Sequence, residues 1–517
     1  MFDPITGIDF REHSWKAYGR VSRFSGPLGD QILLISDPKV LASILVKNSD
    51  IFEEHDWFIE LFRHAVGPGL FSSLGAIHRR QRKALNPIFS IPHMRSVVPI
   101  FHKITDELLD ALQAQVTDGP QEIEMMDWFG RAALEMISQS GLGHTFESFK
   151  PNADRNDFKD ALKEFMPAAA RLYIVLLIFP LVSKWPSKLL RLGAAFIPLP
   201  DVAYIVKLTD AMHVSVKDLF QTKQALLEEG EIQLANQIGG GKDIISMLMK
   251  SNINAADEFR MQDEEVMAQM LTLMGAGTET TSNALARIVQ LLSEHDDVQE
   301  NLRQELNGAS PSSGGELGYD ELMELPYLDA ICRETMRVYV RVPSSPPRTP
   351  KSMAMWLIFL IDTLPQHSPL ESRTDSIISL SRPIRGDPTS DASLFVPRNT
   401  SVVVDILGVN CDPDIWGADA RAWKPERWLA PLPDSVAKAR IPGIYSDMLT
   451  FSGGSRSCIG FKLAEIEMKV VVSRLVKSFR LLPPRTEVVW RLGHVSTPSI
   501  KGSNGITPTM PIVLESI

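Results

Sequence analysis

The chain is 517 residues long and 44% hydrophobic, with a formal net charge of −10 and a pI near 5.7. That length and balance support a large folded core and exclude a disordered polyampholyte. An acidic chain is also excluded from holding nucleic acid by overall charge, because phosphate binding needs a positive field.

From the N-terminus, "MFDPITGIDFREHSWKAYGR" carries no basic-then-apolar leader. Residues 18–36 read as two strands joined by "SGPLGD". Asp37-Pro38 then opens a helix, with Asp as cap and Pro in the first turn. Helical spacing runs through 98–118 and 155–230. The apolar runs Leu172–Val182 and Met353–Ile361 are both shorter than the roughly 20 residues a spanning helix needs. Either the first packs in the core or it makes a peripheral membrane contact. "GGGKD" at 239–243 is a flexible joint before the helix "IISMLMK". Asp263 to Glu294 reads as one long helix, acidic first and then apolar at three- and four-residue steps. Another helix covers about 320–339, a strand-like piece lies at 401–406, and the last forty residues are β-rich. The expected fold class is mainly α with a small β region (α+β) assembled from both ends of the chain, as a single catalytic domain over 1–517.

Cys332, Cys411 and Cys458 are widely spaced, which excludes a disulfide framework and fits a reduced, intracellular setting. Cys458 stands in "FSGGSRSCIG" just ahead of a helix whose apolar face carries Leu463, Ile466, Val470 and Val471, with Glu465, Glu467 and Lys469 largely elsewhere. A helix N-terminus favours a thiolate. Gly453, Gly454 and Gly460 allow close approach to a flat ligand, and Arg456 reaches an anion beside it. A thiolate so placed suits an axial bond to haem iron; the alternative is a small buried cysteine in a glycine turn.

Phe451, Gly454, Arg456, Cys458 and Gly460 fit F-x-x-G-x-R-x-C-x-G at every fixed position. This resembles the haem-binding signature of the cytochrome P450 family, in its eukaryotic, fungal-type form. "GAGTETTS" at 275–282 resembles the family's oxygen-binding motif through Ala276, Gly277, Glu279, Thr280 and Thr281. The resemblance makes Thr280 and Glu279 catalytic, Thr280 at the oxygen position and Glu279 as its link to a proton supply. Hydroxyls of Thr278, Thr280 and Thr281 are expected to bond back to carbonyls and open the helix locally; the alternative is a packing groove of small residues. "ETMR" and "WKPERW" resemble the E-x-x-R and P-E-R elements, implying a buried Glu334–Arg337–Arg427 triad that steadies the cysteine loop. His78 and Arg82 stand where the family carries W-x-x-x-R for a haem propionate, with histidine in place of tryptophan. Arg79, Arg80 and Lys83 are candidates for docking an acidic electron donor.

The resemblance therefore implies the cytochrome P450 fold, with haem b between the long central helix and the cysteine turn, and Cys458 as axial ligand. Phe451, Gly454, Gly460, Arg456, Ala276, His78, Arg82 and Arg348 are the cofactor-binding residues, with Arg373 the alternative to Arg348. The implied reaction inserts one atom of O2 into an apolar small molecule, with electrons from NADPH through a flavoprotein reductase. Val342, Ala276, 172–182 and Gly505-Ile506 are the expected pocket contributors. Two departures stand out. Eukaryotic members usually begin with a membrane helix that places them at the endoplasmic reticulum, and here the chain opens on the soluble domain. About two dozen residues near 350–372 also interrupt the pattern, as a retained intron would. A reductase-independent isomerase or peroxygenase, or an inactive haem-binding or scaffold protein, are the rival functions.

Overall fold

The computed structural model describes residues 7–517 apart from 26–30, 118, 147–148, 150–156, 173–178, 180, 186, 198, 230–240, 257, 310–314, 339–369, 384–391, 492–494 and 504–506. Helices dominate, with a few small sheets, as the sequence pattern implies. The chain divides into two compact units. One comprises residues 1–55, 330–461 and 489–497; the other comprises 56–329, 462–488 and 498–517.

The first unit is built on a five-stranded sheet in the order Val21–Ser25, Gln31–Ile35, Ser401–Val404, Leu370–Ser372, Phe52–Glu54. Gln31–Ile35 runs parallel to Ser401–Val404, and the other pairs are antiparallel. Alternating residues Leu33 and Ile35 join Val40, Leu41, Ile44, Val402 and Trp416 in its core. Asp37 caps the following helix as the sequence predicts, accepting from the N–H groups of Lys39 and Val40 at 3.0 and 3.1 Å. The strand expected at 401–406 ends at Val404, because Asp405 turns to cap the helix Ile406–Asn410 through Gly408 N–H.

The second unit is centred on the helix Asp263–Glu294, 32 residues without a break. Its start carries a capping box between Gln262 and Glu265 and three acidic residues in the first turn, matching the predicted boundary. The helix expected at 98–118 runs Ile91–Gln113, and the stretch 155–230 resolves into Asp157–Arg171, Ser187–Phe196 and Pro200–Glu229. Asp243, at the end of the expected joint, caps Ile244–Ile253. One predicted helix at 320–339 is two, Tyr319–Glu324 and Pro326–Val338. Leu325 is extended there, as a residue before proline prefers.

The β region is not assembled from both ends as expected. The N-terminal strands pair with 370–372 and 401–404, while Phe479–Leu482 and Pro511–Ser516 form a separate three-stranded sheet with Gln121–Glu124. Among the described residues, no helix is long and apolar enough to cross a membrane. Most of the run Leu172–Val182 and all of Met353–Ile361 lie outside the described residues; Leu172 is buried and Leu181 exposed. Arg348, Val342, Gly505-Ile506 and 350–369 of the suspected insertion also lie outside them. Its last three residues, Leu370–Ser372, form a paired sheet strand.

Candidate functional site

In the first unit the cysteine turn leaves the strand Met448–Gly453, makes one 3-10 turn at Gly454–Arg456, and enters the helix Phe461–Ser478. Cys458 N–H donates to the carbonyl of Phe451 at 3.0 Å, closing the turn on itself. Gly454 is required twice over. Its φ is +71°, and a Cβ there would lie 1.8 Å from the carbonyl oxygen of Leu45. Phe451 is pinned by an edge-on contact with Tyr445 at 5.2 Å. Of the three sulfurs, those of Cys332 and Cys411 are buried and that of Cys458 is exposed. Burial also pushes the Cys411 thiol up, away from the thiolate. Only Cys458 offers the accessible sulfur that a thiolate-ligated haem needs, so the donor chemistry fits that group.

The triad implied for Glu334, Arg337 and Arg427 is assembled and buried. Arg337 donates to both Glu334 oxygens at 2.7 and 2.8 Å, and Arg427 Nε to Glu334 Oε1 at 3.3 Å. Glu334 also accepts from Lys424 N–H and Trp428 Nε1. Arg337 donates to the carbonyls of Asn410, Ala420 and Ala422. Asn410 in turn bonds Leu449 N–H and the Thr450 hydroxyl, which itself donates to the Met336 carbonyl. A continuous set of bonds thus runs from the Glu334 pair to the strand that delivers Phe451 and Cys458. Arg456 pairs with the Glu54 carboxylate at 2.6–2.8 Å. Arg373 pairs with Glu371 and Glu53.

In the second unit, Ala276, Glu279 and Thr280 lie on the long helix. It is buried at 265–274, apart from half-buried Met267, and again from 281 to 293, while Gly275 to Thr280 are exposed or half-buried. Thr278 and Thr280 do bond back, to the carbonyls of Met274 and Ala276 at 2.8 and 2.6 Å. The expected opening of the helix is corrected, since it continues unbroken through these residues. A carbonyl oxygen has two lone pairs and takes the hydroxyl without surrendering its helical partner. Gly277 serves packing: a Cβ there would stand 2.9 Å from Ile137 Cγ1. Desolvation lifts the Glu279 carboxyl to about 7, with the charge of Lys163 pulling it down by less.

His78 is buried and Arg82 half-buried on the helix Gly75–Leu85, where Arg82 Nε donates to Asn86 Oδ1 at 3.2 Å. The docking role expected for Arg80 is corrected, because it turns inward to Glu265 and the Arg260 carbonyl. Arg79 and Lys83 remain exposed.

The helix after the cysteine also differs from expectation. Glu465, Glu467 and Lys469, expected largely away from the apolar face, are all buried, and Glu467 falls one turn from Leu463 on that face. Lys469 pairs with Asp329 at 2.8 Å. Glu467 bonds Thr281 and is raised by desolvation to about 8, with Oε1 lacking a hydrogen-bond partner among the described residues. Sequence reasoning missed both Glu467 and Glu54, because charge in a helix or strand ordinarily signals solvent. The one available signal was Glu467's position one turn beyond Leu463, within the apolar stripe.

A family model described as Cytochrome P450 matches residues 15–354 and 376–501. Cytochrome P450 monooxygenase 219 of Postia placenta is 41% identical over 96% of this chain and 86% of its own length. The ganoderic acid synthetase CYP5150L8 of Ganoderma lucidum is 37% identical, covering 95% and 88%. The cytochrome P450 monooxygenase eriI of Hericium erinaceus is 32% identical, covering 96% and 87%. With an accessible cysteine in the signature turn and a match over most of its length, the chain belongs to the cytochrome P450 family of haem-thiolate monooxygenases.

Proposed function

We propose that Cys458 is the axial thiolate of a bound haem, and that the chain inserts one atom of O2 into an apolar small molecule with electrons drawn from NADPH through a flavoprotein reductase. The observation that carries this is the exposed Cys458 sulfur in a turn fixed by its own backbone and by the buried Glu334–Arg337–Arg427 set. Bound haem supplies the redox centre, and its thiolate donates electron density that favours O–O cleavage. Phe451, Gly454 and Gly460 shape the turn, and Arg456, His78, Arg82 and Arg348 are assigned to the cofactor's carboxylates. Arg337 and Glu334 act by holding the loop, not by touching reactants. Glu279, at about 7, exchanges a proton near neutral pH, as a proton-supply residue must. The Thr280 hydroxyl donates a hydrogen bond to the Ala276 carbonyl, which leaves its oxygen able to accept one from elsewhere. Ala276 beside them sets an apolar, small-residue surface. The Ganoderma relative, by its name a ganoderic acid synthetase, supports a place in secondary metabolism.

Carbon monoxide difference spectra test the assignment. Wild-type protein is expected to give a thiolate-type band that Cys458→Ser abolishes. Haem bound by the variant with an unaltered absorption profile would overturn it.

The segment near 350–372 is read as an insertion, although its last residues, Leu370–Ser372, pair within the sheet. The break in the family match between 354 and 376 supports this. Transcript coverage should fall across the codons of this segment; continuous coverage in the main transcript would contradict the reading.

A further inference from the structure

Within the second unit, residues 67–70 lie against the first half of the long helix, and two glycines bring the backbones into close contact. A Cβ on Gly67 would stand 3.1 Å from Ala268 Cβ. One on Gly69 would stand 3.1 Å from the same atom and 3.0 Å from Thr272 Oγ1. Two glutamines tie this segment down. Gln81, from the helix Gly75–Leu85, donates through Nε2 to the Pro68 carbonyl at 2.8 Å and to Glu265 Oε1 at 2.7 Å. Gln269 Oε1 accepts from Leu70 N–H at 3.2 Å. Glu265, Ala268, Gln269 and Thr272 share one helix face, at steps of three and four residues.

Each amide uses one end in these bonds and leaves its other end over. Gln81 Oε1, Gln269 Nε2 and Thr272 Oγ1 are all buried and have no hydrogen-bond partner among the described residues. Gln81 and Gln269 are fully enclosed, and Thr272 is 6% exposed. Turning an amide over does not relieve this. A flipped Gln81 would set its oxygen against the Pro68 carbonyl and the Glu265 carboxylate, and a flipped Gln269 would set its NH2 against Leu70 N–H. The bonds already made therefore fix both orientations.

The three remaining atoms differ in what they need. The carbonyl oxygen of Gln81 only accepts, the amide nitrogen of Gln269 only donates, and the Thr272 hydroxyl does either. An anion offers nothing to Gln81 Oε1, and a metal cation offers nothing to Gln269 Nε2. Water serves both, donating to the first, accepting from the second, and adding a third bond to Thr272. Three is the usual count for a buried water.

We propose that residues Gln81, Gln269 and Thr272 form a binding site for one buried water molecule, which bridges the helix Gly75–Leu85 to the long helix beside residues 67–70. The bridge fixes that segment against the helix one turn before Ala276. It is independent of the haem reading, because none of these groups is assigned to the cofactor.

Thr272→Val separates a bound water from an unpaired hydroxyl, since valine keeps the shape and loses only the polar atom. Removing an unpaired buried hydroxyl leaves stability equal or higher, whereas removing one bonded to water forfeits that bond. The urea midpoint of Thr272→Val is therefore expected to fall below that of wild type. In the Gln269→Leu background, which no longer donates to the water, the same change should have little further effect. A crystal structure of the wild-type chain is expected to show a solvent peak at hydrogen-bond distance from all three atoms. An equal or higher midpoint for Thr272→Val, the same loss in both backgrounds, or a crystal structure without that peak overturns the proposal.

Discussion

Glu334→Ala is expected to leave the chain without a stable fold around the cysteine turn. Arg337 is 1% exposed and spends two of its donors on Glu334. Removing the carboxylate leaves that cation buried without its counter-charge. Breaking one side of such a pair costs about 3–5 kcal/mol, against a total stability of about 5–15 kcal/mol for a native protein. The loss spreads further, because Glu334 also satisfies Lys424 N–H and Trp428 Nε1. Arg427→Ala should be milder, since Arg427 keeps only one of its contacts with Glu334 and the rest with Asp419 and the Trp416 carbonyl. Soluble yield and denaturant unfolding of both variants check this. A Glu334→Ala protein within about 1 kcal/mol of wild type would show that the buried pair contributes little.

Glu467→Gln is expected to stabilise the protein, and more so as pH rises. Desolvation holds the Glu467 carboxyl at about 8 in the fold, against an ordinary value of 4.5. The folded state therefore keeps a proton that the unfolded chain releases. Stability from this group is complete below about pH 4.5 and is lost progressively as pH rises to about 8. The full span is on the order of 4 kcal/mol. Glutamine is neutral at every pH and removes the slope, while its amide keeps a bond to Thr281. Urea unfolding at about pH 4 and about pH 8.5 should show near-equal stabilities at the first and a clear gain for the variant at the second. A gain of the same size at both values would mean that packing, not charge, sets the difference. The infrared band of a protonated carboxylic acid, present in wild type near neutral pH and lost in Glu467→Gln, provides an independent readout.

The sequence by itself determined the local elements that carry the candidate site residues. Local rules sufficed for the Asp37 cap, for the start of the long helix at Asp263, and for the glycine-rich turn bearing Cys458. Each of these depends on neighbours within a few residues, where propensity, capping and spacing act directly. Spacing offered Glu334 and Arg337 as an ion pair, and the resemblance of two separate motifs to a known family added Arg427.

Tertiary structure decided what happens to charge. The acidic and basic residues of the helix after Cys458 read as lying largely off its apolar face, yet Glu465, Glu467 and Lys469 are buried. Arg80 reads as a surface cation and turns to Glu265. Glu54 and Arg456 lie 402 positions apart, and nothing between them in the chain announces their pairing. Burial of a charge is set by whether a partner arrives from elsewhere in the fold to offset its desolvation. That is a long-range property, invisible to any window of sequence. The same holds for the sheet, where strands 370–372 and 401–404 find the N-terminal strands rather than the C-terminal ones. Backbone hydrogen bonding makes any strand a candidate partner for any other, and only the packing of the two cores selects among them.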